Sequence, residues 1–219
     1  MLAIFKREFK SYFQNVIGWL FVAALLAVYG LYFYVYNLKN GYPYISYDLN
    51  GIGFIMMIAV PILTMRSLSD EKKTKTDQLM LTSPVSVGRI VAGKYFAMAA
   101  VYTIVIALFA LSPLVLSIYG KVALSEAYVA LFGYWLYGLS CIAVGLFISS
   151  ISESVIISAI LTFAALFLSY MMQSITGLIS SSGNLLTKVL NCFDLYTPFE
   201  NFVSGCFSVT SAAYYVTVI

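Results

Sequence analysis

Residues 16–36, VIGWLFVAALLAVYGLYFYVY, run from Val16 to Tyr36 without a charged side chain. An α-helix needs about 20 apolar residues to cross a hydrocarbon core of about 30 Å, and this stretch supplies them. It is too long for the apolar region of a signal peptide and has no small-residue cleavage site, so it reads as a membrane span. Outward from it the pattern repeats. Gly51–Met65 is a shorter apolar run that contains Pro61 and borrows residues from around Tyr47. Tyr95–Ile118 carries Pro113 near one end, while Ala127–Ile148 and Val155–Met172 are joined by a tight turn at Ser149–Ser154. A last apolar stretch, Phe202–Ile219, reaches the C-terminus with no basic anchor after it.

Composition agrees with the spans. The 219 residues are 62% hydrophobic and 10% charged, with a mean hydropathy of +0.93. A soluble domain has roughly 45–50% apolar and about 25% charged residues, and a soluble fold of this size would leave the excess on its surface. There is no histidine, which excludes a Ser-His-Asp hydrolase, a His-ligated haem and an HExxH protease. Cys141, Cys192 and Cys206 lack CxxC spacing and offer no zinc or redox motif. Cys192 and Cys206 could pair if both face an oxidising exterior; two small buried residues is the favoured reading. No span carries a charge near its centre, since Asp48, Lys121, Glu126 and Glu153 sit at ends or in loops. Ion-coupled transporters place such groups at mid-membrane depth, so the energy source of this chain lies elsewhere.

Basic residues at span ends orient the chain, because they stay on the cytoplasmic side. Lys6, Arg7 and Lys10 precede the first span, and Arg66, Lys72, Lys73, Lys75, Arg89 and Lys94 lie between the second and third. Lys39, Lys121 and Lys188 are all that remain for the other side, so the N-terminus is cytoplasmic. Residues 1–14 predict an amphipathic interfacial helix, with Leu2, Phe5, Phe9, Tyr12 and Phe13 opposite Lys6, Arg7 and Lys10. Residues 66–94, RSLSDEKKTKTDQLMLTSPVSVGRIVAGK, predict a short helix around Asp77–Thr82 and a stop at Ser83-Pro84. A second helix, capped by Ser86, leads into the third span. The apolar cluster Leu79–Leu81 amid charges marks a partner-binding surface. Gly88 to Tyr95 fits GxxxxGK but has Tyr95 where a P-loop needs Ser or Thr, so no ATPase is expected here. Small residues share faces at Ala23, Ala27 and Gly30, at Ser154, Ser158 and Thr162, and at Gly145 and Ser149, for which packing within the chain is expected.

These residues resemble the permease subunits of type-2 ABC transporters, particularly the gliding-motility and nitrous-oxide-associated branch. The resemblance rests on the elbow-like Lys6-Arg-Glu-Phe-Lys-Ser-Tyr-Phe13 and on Asp70-Glu71-Lys72-Lys73. It continues through Thr76-Asp77-Gln-Leu79-Met-Leu81-Thr-Ser-Pro84-Val-Ser86 to Gly93-Lys94, and includes Thr197-Pro198-Phe199-Glu-Asn-Phe202-Val-Ser-Gly205. Asp77 stands where the family more often has glutamate.

The resemblance implies an all-α membrane protein, a single permease domain over 1–219. It would have an N-terminal elbow helix (1–14), a coupling loop (66–94), an external or re-entrant segment (173–205) and five full spans with a partial or truncated sixth. That last helix would begin near Tyr214, after an external turn at Val209–Ser211. The implied partners are a cytosolic ABC ATPase, a second permease copy or homologous permease, and the lipid bilayer of a prokaryotic-type cell membrane, with no nucleic acid. No cofactor is implied in this chain, because ATP and Mg²⁺ belong to the ATPase. Asp70, Glu71, Lys72, Thr76, Asp77, Leu79, Leu81, Pro84, Val85 and Ser86 would meet that ATPase, with Phe5, Lys6, Arg7, Phe9, Lys10 and Phe13 beside them in the elbow. The implied activity is export of a substrate that the residues do not identify. A non-transporting scaffold recruiting partners through 66–94 is the alternative. An oligomeric channel would need a polar pore stripe, for which only Ser154–Ser158–Thr162 offers material.

Overall fold

Apolar segments enter lipid only when every backbone polar group is bonded within the structure, and helices achieve this segment by segment. The computed structural model describes residues 2–76, 86–119, 122–179 and 193–219, and no strand occurs among them. In chain order the helices are α1 (Leu2–Gln14), α2 (Val16–Phe33), which continues as a π-helical turn (Tyr34–Lys39), and α3 (Ile45–Thr64). They are followed by α4 (Ser69–Lys73), α5 (Val87–Phe109), α6 (Ser112–Tyr119) and α7 (Leu124–Ile151). Last come α8 (Val155–Ile179), α9 (Thr197–Val203) and α10 (Val209–Val218). Five helical stretches are long and apolar enough to cross a membrane: Val16–Lys39, Ile45–Lys73, Val87–Tyr119, Leu124–Ile151 and Val155–Met172.

Helix α7 is the centre of the bundle and packs against α3, α5, α8, α9 and α10. It admits its neighbours by lacking side chains. A Cβ on Gly138 would lie 2.3 Å from Tyr102, one on Gly133 2.3 Å from Phe202, and one on Gly145 2.5 Å from Thr64. The core is aromatic at one end, where Tyr134, Tyr137, Tyr196, Phe199 and Phe202 pack together. There Asp194 accepts hydrogen bonds from the backbone of Tyr196 (2.9 Å) and Thr197 (3.0 Å), which starts α9. Ser169 on α8 bonds the Phe193 carbonyl (2.7 Å) and the Leu195 amide (2.9 Å), while Tyr215 on α10 donates to the Leu195 carbonyl (2.7 Å).

Four expectations are corrected. The third span is not one helix: α5 ends at Phe109 and α6 restarts at Ser112. Pro113 has no amide to donate to the Phe109 carbonyl, which takes the Ser112 hydroxyl (2.7 Å) instead. The turn at Ser149–Ser154 shrinks to 152–154. Ser150 and Ser152 direct their hydroxyls to the carbonyls of Phe147 (2.6 Å) and Ile148 (3.4 Å), and the helix runs to Ile151. The last helix begins at Val209 rather than near Tyr214, because Ser208 caps it by accepting from the Ser211 amide (3.3 Å). The preceding turn holds Gly205 at φ +77°. Finally, Ala23, Ala27 and Gly30 do not pack within the chain: all three are exposed, and nothing lies within 4 Å of a Cβ placed on Gly30. Ser158 and Thr162, by contrast, are buried in the bundle. Cys206 is exposed with a free thiol, and Cys192 lies outside the described residues.

Candidate coupling junction

The charged loop begins where α3 ends. Thr64 bonds back to the Val60 carbonyl (3.0 Å) and Ser69 to that of Met65, while the Met65 and Ser67 amides bond the carbonyls of Pro61 (2.9 Å) and Thr64 (3.0 Å) at the helix end. It then makes a helix that the sequence reading did not assign, α4, with Asp70 and Glu71 in its first turn and Lys72 and Lys73 in its last. That order matches the helix dipole at both ends. The cap comes from another element: Ser149 Oγ on α7 accepts the amides of Leu68 and Ser69, each at 3.2 Å. Lys72 reaches the carbonyl of Ser150 on the same helix end. The segment closes at Lys75, whose φ of 56° turns the backbone away from the helical path.

The centre of the junction is Lys94. It lies two turns into α5 with a side chain only 2% exposed. Its Nζ donates to the Ser67 carbonyl (2.7 Å) and to Glu71 Oε1 (2.7 Å), and Glu8 Oε1 of α1 stands 3.6 Å away. Arg7 pairs with Glu8 (2.7 Å) and reaches toward Glu71 (3.9 Å) from the solvent side. Two carboxylates and two cations from α1, α4 and α5 thus meet at one point. Tyr12, one turn after Glu8, faces Ser67. Burial, reinforced by the Glu8 and Glu71 carboxylates, pushes its phenol above the ordinary tyrosine range, so it stays neutral. Below it α1 touches α2 closely: a Cβ on Gly18 would fall 2.3 Å from the Tyr12 carbonyl oxygen.

The residues assigned from sequence fall into three groups. Phe5, Phe9 and Phe13 stack along one side of α1, with ring centroids 5.8 and 5.0 Å apart, and Phe13 meets Trp19 edge-on. Phe9, Tyr12 and Phe13 pack against the bundle, while Lys6, Arg7 and Lys10 are exposed. Asp70, Thr76 and Ser86 are exposed, and Glu71 and Lys72 are turned inward. Ser86 occupies the N-cap of α5, but its carbonyl rather than its hydroxyl accepts, from the Arg89 amide at 2.9 Å. Asp77, Leu79, Leu81, Pro84 and Val85 lie outside the described residues, as does the helix expected at Asp77–Thr82. The P-loop-like stretch Gly88–Tyr95 is continuous helix within α5, and its lysine is engaged by Glu71. A P-loop presents a bend of free backbone amides instead.

Sequence reasoning missed Glu8, Tyr12, Ser67 and Ser149 as parts of this junction. One signal was available: a lysine inside an apolar helix requires a buried partner, and Glu8 is the only acidic residue before Asp48.

An apolar groove of about 1150 Å³ opens beside the junction, between α5, α7, α8 and α10. Leu68, Val91 and Ser150 line it at the α4 end, and Phe193 and Leu195 at the other.

Among known proteins, residues 32–218 match the family model described as ABC-2 family transporter protein. Neither a curated protein nor a solved structure matches the chain.

Proposed function

The chain belongs to the ABC-2 transporter family and is a multi-pass membrane permease, and on that footing we propose that it transmits the ATPase cycle of a separate cytosolic subunit through the junction around Lys94. We assign it to the gliding-motility and nitrous-oxide-associated branch, with the N-terminus and the 66–94 loop on the cytoplasmic face of a prokaryotic-type membrane and export as its direction. The observation that carries the reading is the way α4 is held: it is tied at once to α5 through Lys94, to α1 through Arg7, and to the end of α7 through Ser149 and Ser150, while Glu8 of α1 faces the same lysine. A push on the loop that moves α4 therefore moves the ends of three other helices. Leu68 and Ser150 also line the groove, so the same displacement reshapes its inner end.

The division of labour at the ATPase surface follows from what is already committed. Glu71 and Lys72 have partners inside the chain, which leaves the exposed Asp70, Lys73 and Thr76 for the rim. Leu79, Leu81 and Val85 supply the apolar anchors that interfaces concentrate at their centres. ATP and Mg²⁺ are bound by the partner. A second permease copy would meet this one in the membrane, and the exposed Ala23–Ala27–Gly30 stripe allows close helix approach. The scaffold alternative has no observation in its favour beyond the loop itself.

Replacing Leu79 by Asp puts a charge at the centre of the docking surface. Leu79→Asp is expected to abolish co-purification with the co-expressed ATPase while membrane insertion continues. Recovery of the complex at wild-type yield would remove the loop from the interface.

A further inference from the structure

The end of the bundle away from the junction holds a second polar cluster. Asp48 sits in the first turn of α3, about 24 Å along the helix axis from Thr64 at 1.5 Å per residue. It is 0% exposed, and Asn37 beside it is 5% exposed. Asn37 reaches Asp48 because the chain after α2 winds as a π-helical turn, a local widening often found at functional positions. The Asn37 amide nitrogen donates to Asp48 Oδ2. The remaining oxygens, Asn37 Oδ1 and Asp48 Oδ1, are both buried without a hydrogen-bond partner. Two orphaned acceptors on two groups already joined by one bond lack a single thing, a shared hydrogen.

Among the described residues, none around the pair supplies a positive charge. From α2, Tyr29 faces this end and bonds Ser112 at the start of α6, and Tyr32 lies against Gly51. From α9, Tyr196 donates to Asn50. Lys39 on the π-helical turn is exposed, as are Tyr44 and Tyr47. Among the described residues the ion pairs involve Arg7, Glu8, Glu71 and Lys94, all at the opposite end. An ionised carboxylate here would be a buried charge with one neutral donor and an unpaired acceptor facing it, the arrangement that interiors and membranes tolerate least.

We propose that Asn37 and Asp48 form a proton-binding site joining α2 to α3. Asp48 Oδ1 carries the proton and donates it to Asn37 Oδ1, while Asn37 Nδ2 donates to Asp48 Oδ2. The result is a neutral acid–amide pair closed by two hydrogen bonds. On ionisation the O–H bond breaks, the proton passes to water at that face, and the electron pair stays on Asp48. The charge then repels the Asn37 carbonyl dipole and loosens α2 from α3. The site is a latch that responds to pH at the face opposite the coupling junction.

Infrared spectroscopy of the full chain in lipid nanodiscs tests this directly. At neutral pH the wild type should show the carbonyl stretch of a protonated carboxylic acid, absent from Asp48→Asn and shifted in Asn37→Leu. Absence of that band from the wild type, or its persistence in Asp48→Asn, overturns the proposal. A melting series gives a second readout. An acid protonated in the fold but ionised in the unfolded chain stabilises less as pH rises. The wild-type midpoint should therefore fall with rising pH relative to that of Asp48→Asn, which shares every other titrating group. A parallel decline in both overturns the proposal as well.

Discussion

Lys94→Met is expected to be the most damaging single substitution at the junction end of the bundle. Methionine keeps the apolar stem of lysine and removes the charge, so the loss is electrostatic rather than steric. Glu71 and Glu8 are then left facing each other across the space Lys94 filled, and the Ser67 carbonyl loses its donor. Removing one partner of a buried ion pair costs about 3–5 kcal/mol. Here the lower end applies, since Glu8 and Glu71 retain 16% and 19% exposure and Arg7 partly compensates them. Restoring neutrality should recover most of the loss: Lys94→Met combined with Glu71→Leu replaces the pair by apolar groups, an exchange that is often close to neutral. Thermal unfolding of the detergent-solubilised protein should rank the wild type and double variant together and the single variant well below. Equal midpoints for all three would show that the junction is not an energetic unit.

Gly145→Leu should be nearly as costly, for a different reason. The Cβ alone would sit 2.5 Å from Thr64 Oγ1 and 2.9 Å from its Cγ2, and Thr64 is fully buried and bonded to its own helix. Helix α3 would have to move off α7, with about 1–3 kcal/mol lost to overpacking at minimum. The displacement would also draw Ser149, one turn along α7, away from α4. Gly88→Leu makes the same chemical change where nothing lies within 4 Å. There the better helix former should add up to about 1 kcal/mol. A fluorescence-detected thermal melt of the two variants should therefore move in opposite directions. A fall of equal size in both would mean that the α3–α7 contact is not what Gly145 provides.

How much of this was readable in advance depended on whether a feature is local. The spans follow from uninterrupted apolar runs, and α3 borrowed residues back to Ile45 as the short run at Gly51–Met65 required. The amphipathic face of α1 was equally legible, because Phe5, Phe9 and Phe13 recur every four residues. Breaks were harder. Pro113 was visible as a perturbation, but whether it ends a helix depends on Ser112 finding partners in Phe109 and Tyr29. The junction was least legible, since its bonds join residues far apart in sequence: Glu8 and Lys94, Ser69 and Ser149, Lys72 and Ser150. Charge density drew attention to the 66–94 loop but not to its internal bonds: Glu71 and Lys72, set against an ATPase by the sequence reading, pair with an α5 lysine and the end of α7. Asp48 lay at a span end in both accounts, and only the fold reveals that it is wholly buried.

The central claim is that α4 and Lys94 carry the ATPase cycle into the membrane helices, and ATP hydrolysis by the co-assembled ATPase in proteoliposomes tests it most directly. The chain carrying Lys94→Met should still co-purify with the ATPase, because the substitution leaves the docking residues proposed around Leu79 unchanged. It should fail to raise hydrolysis above the rate of the ATPase alone, whereas the wild type raises it and the Lys94→Met/Glu71→Leu chain restores part of the increase. Stimulation by Lys94→Met equal to that by the wild type, in complexes of equal yield, would contradict the account.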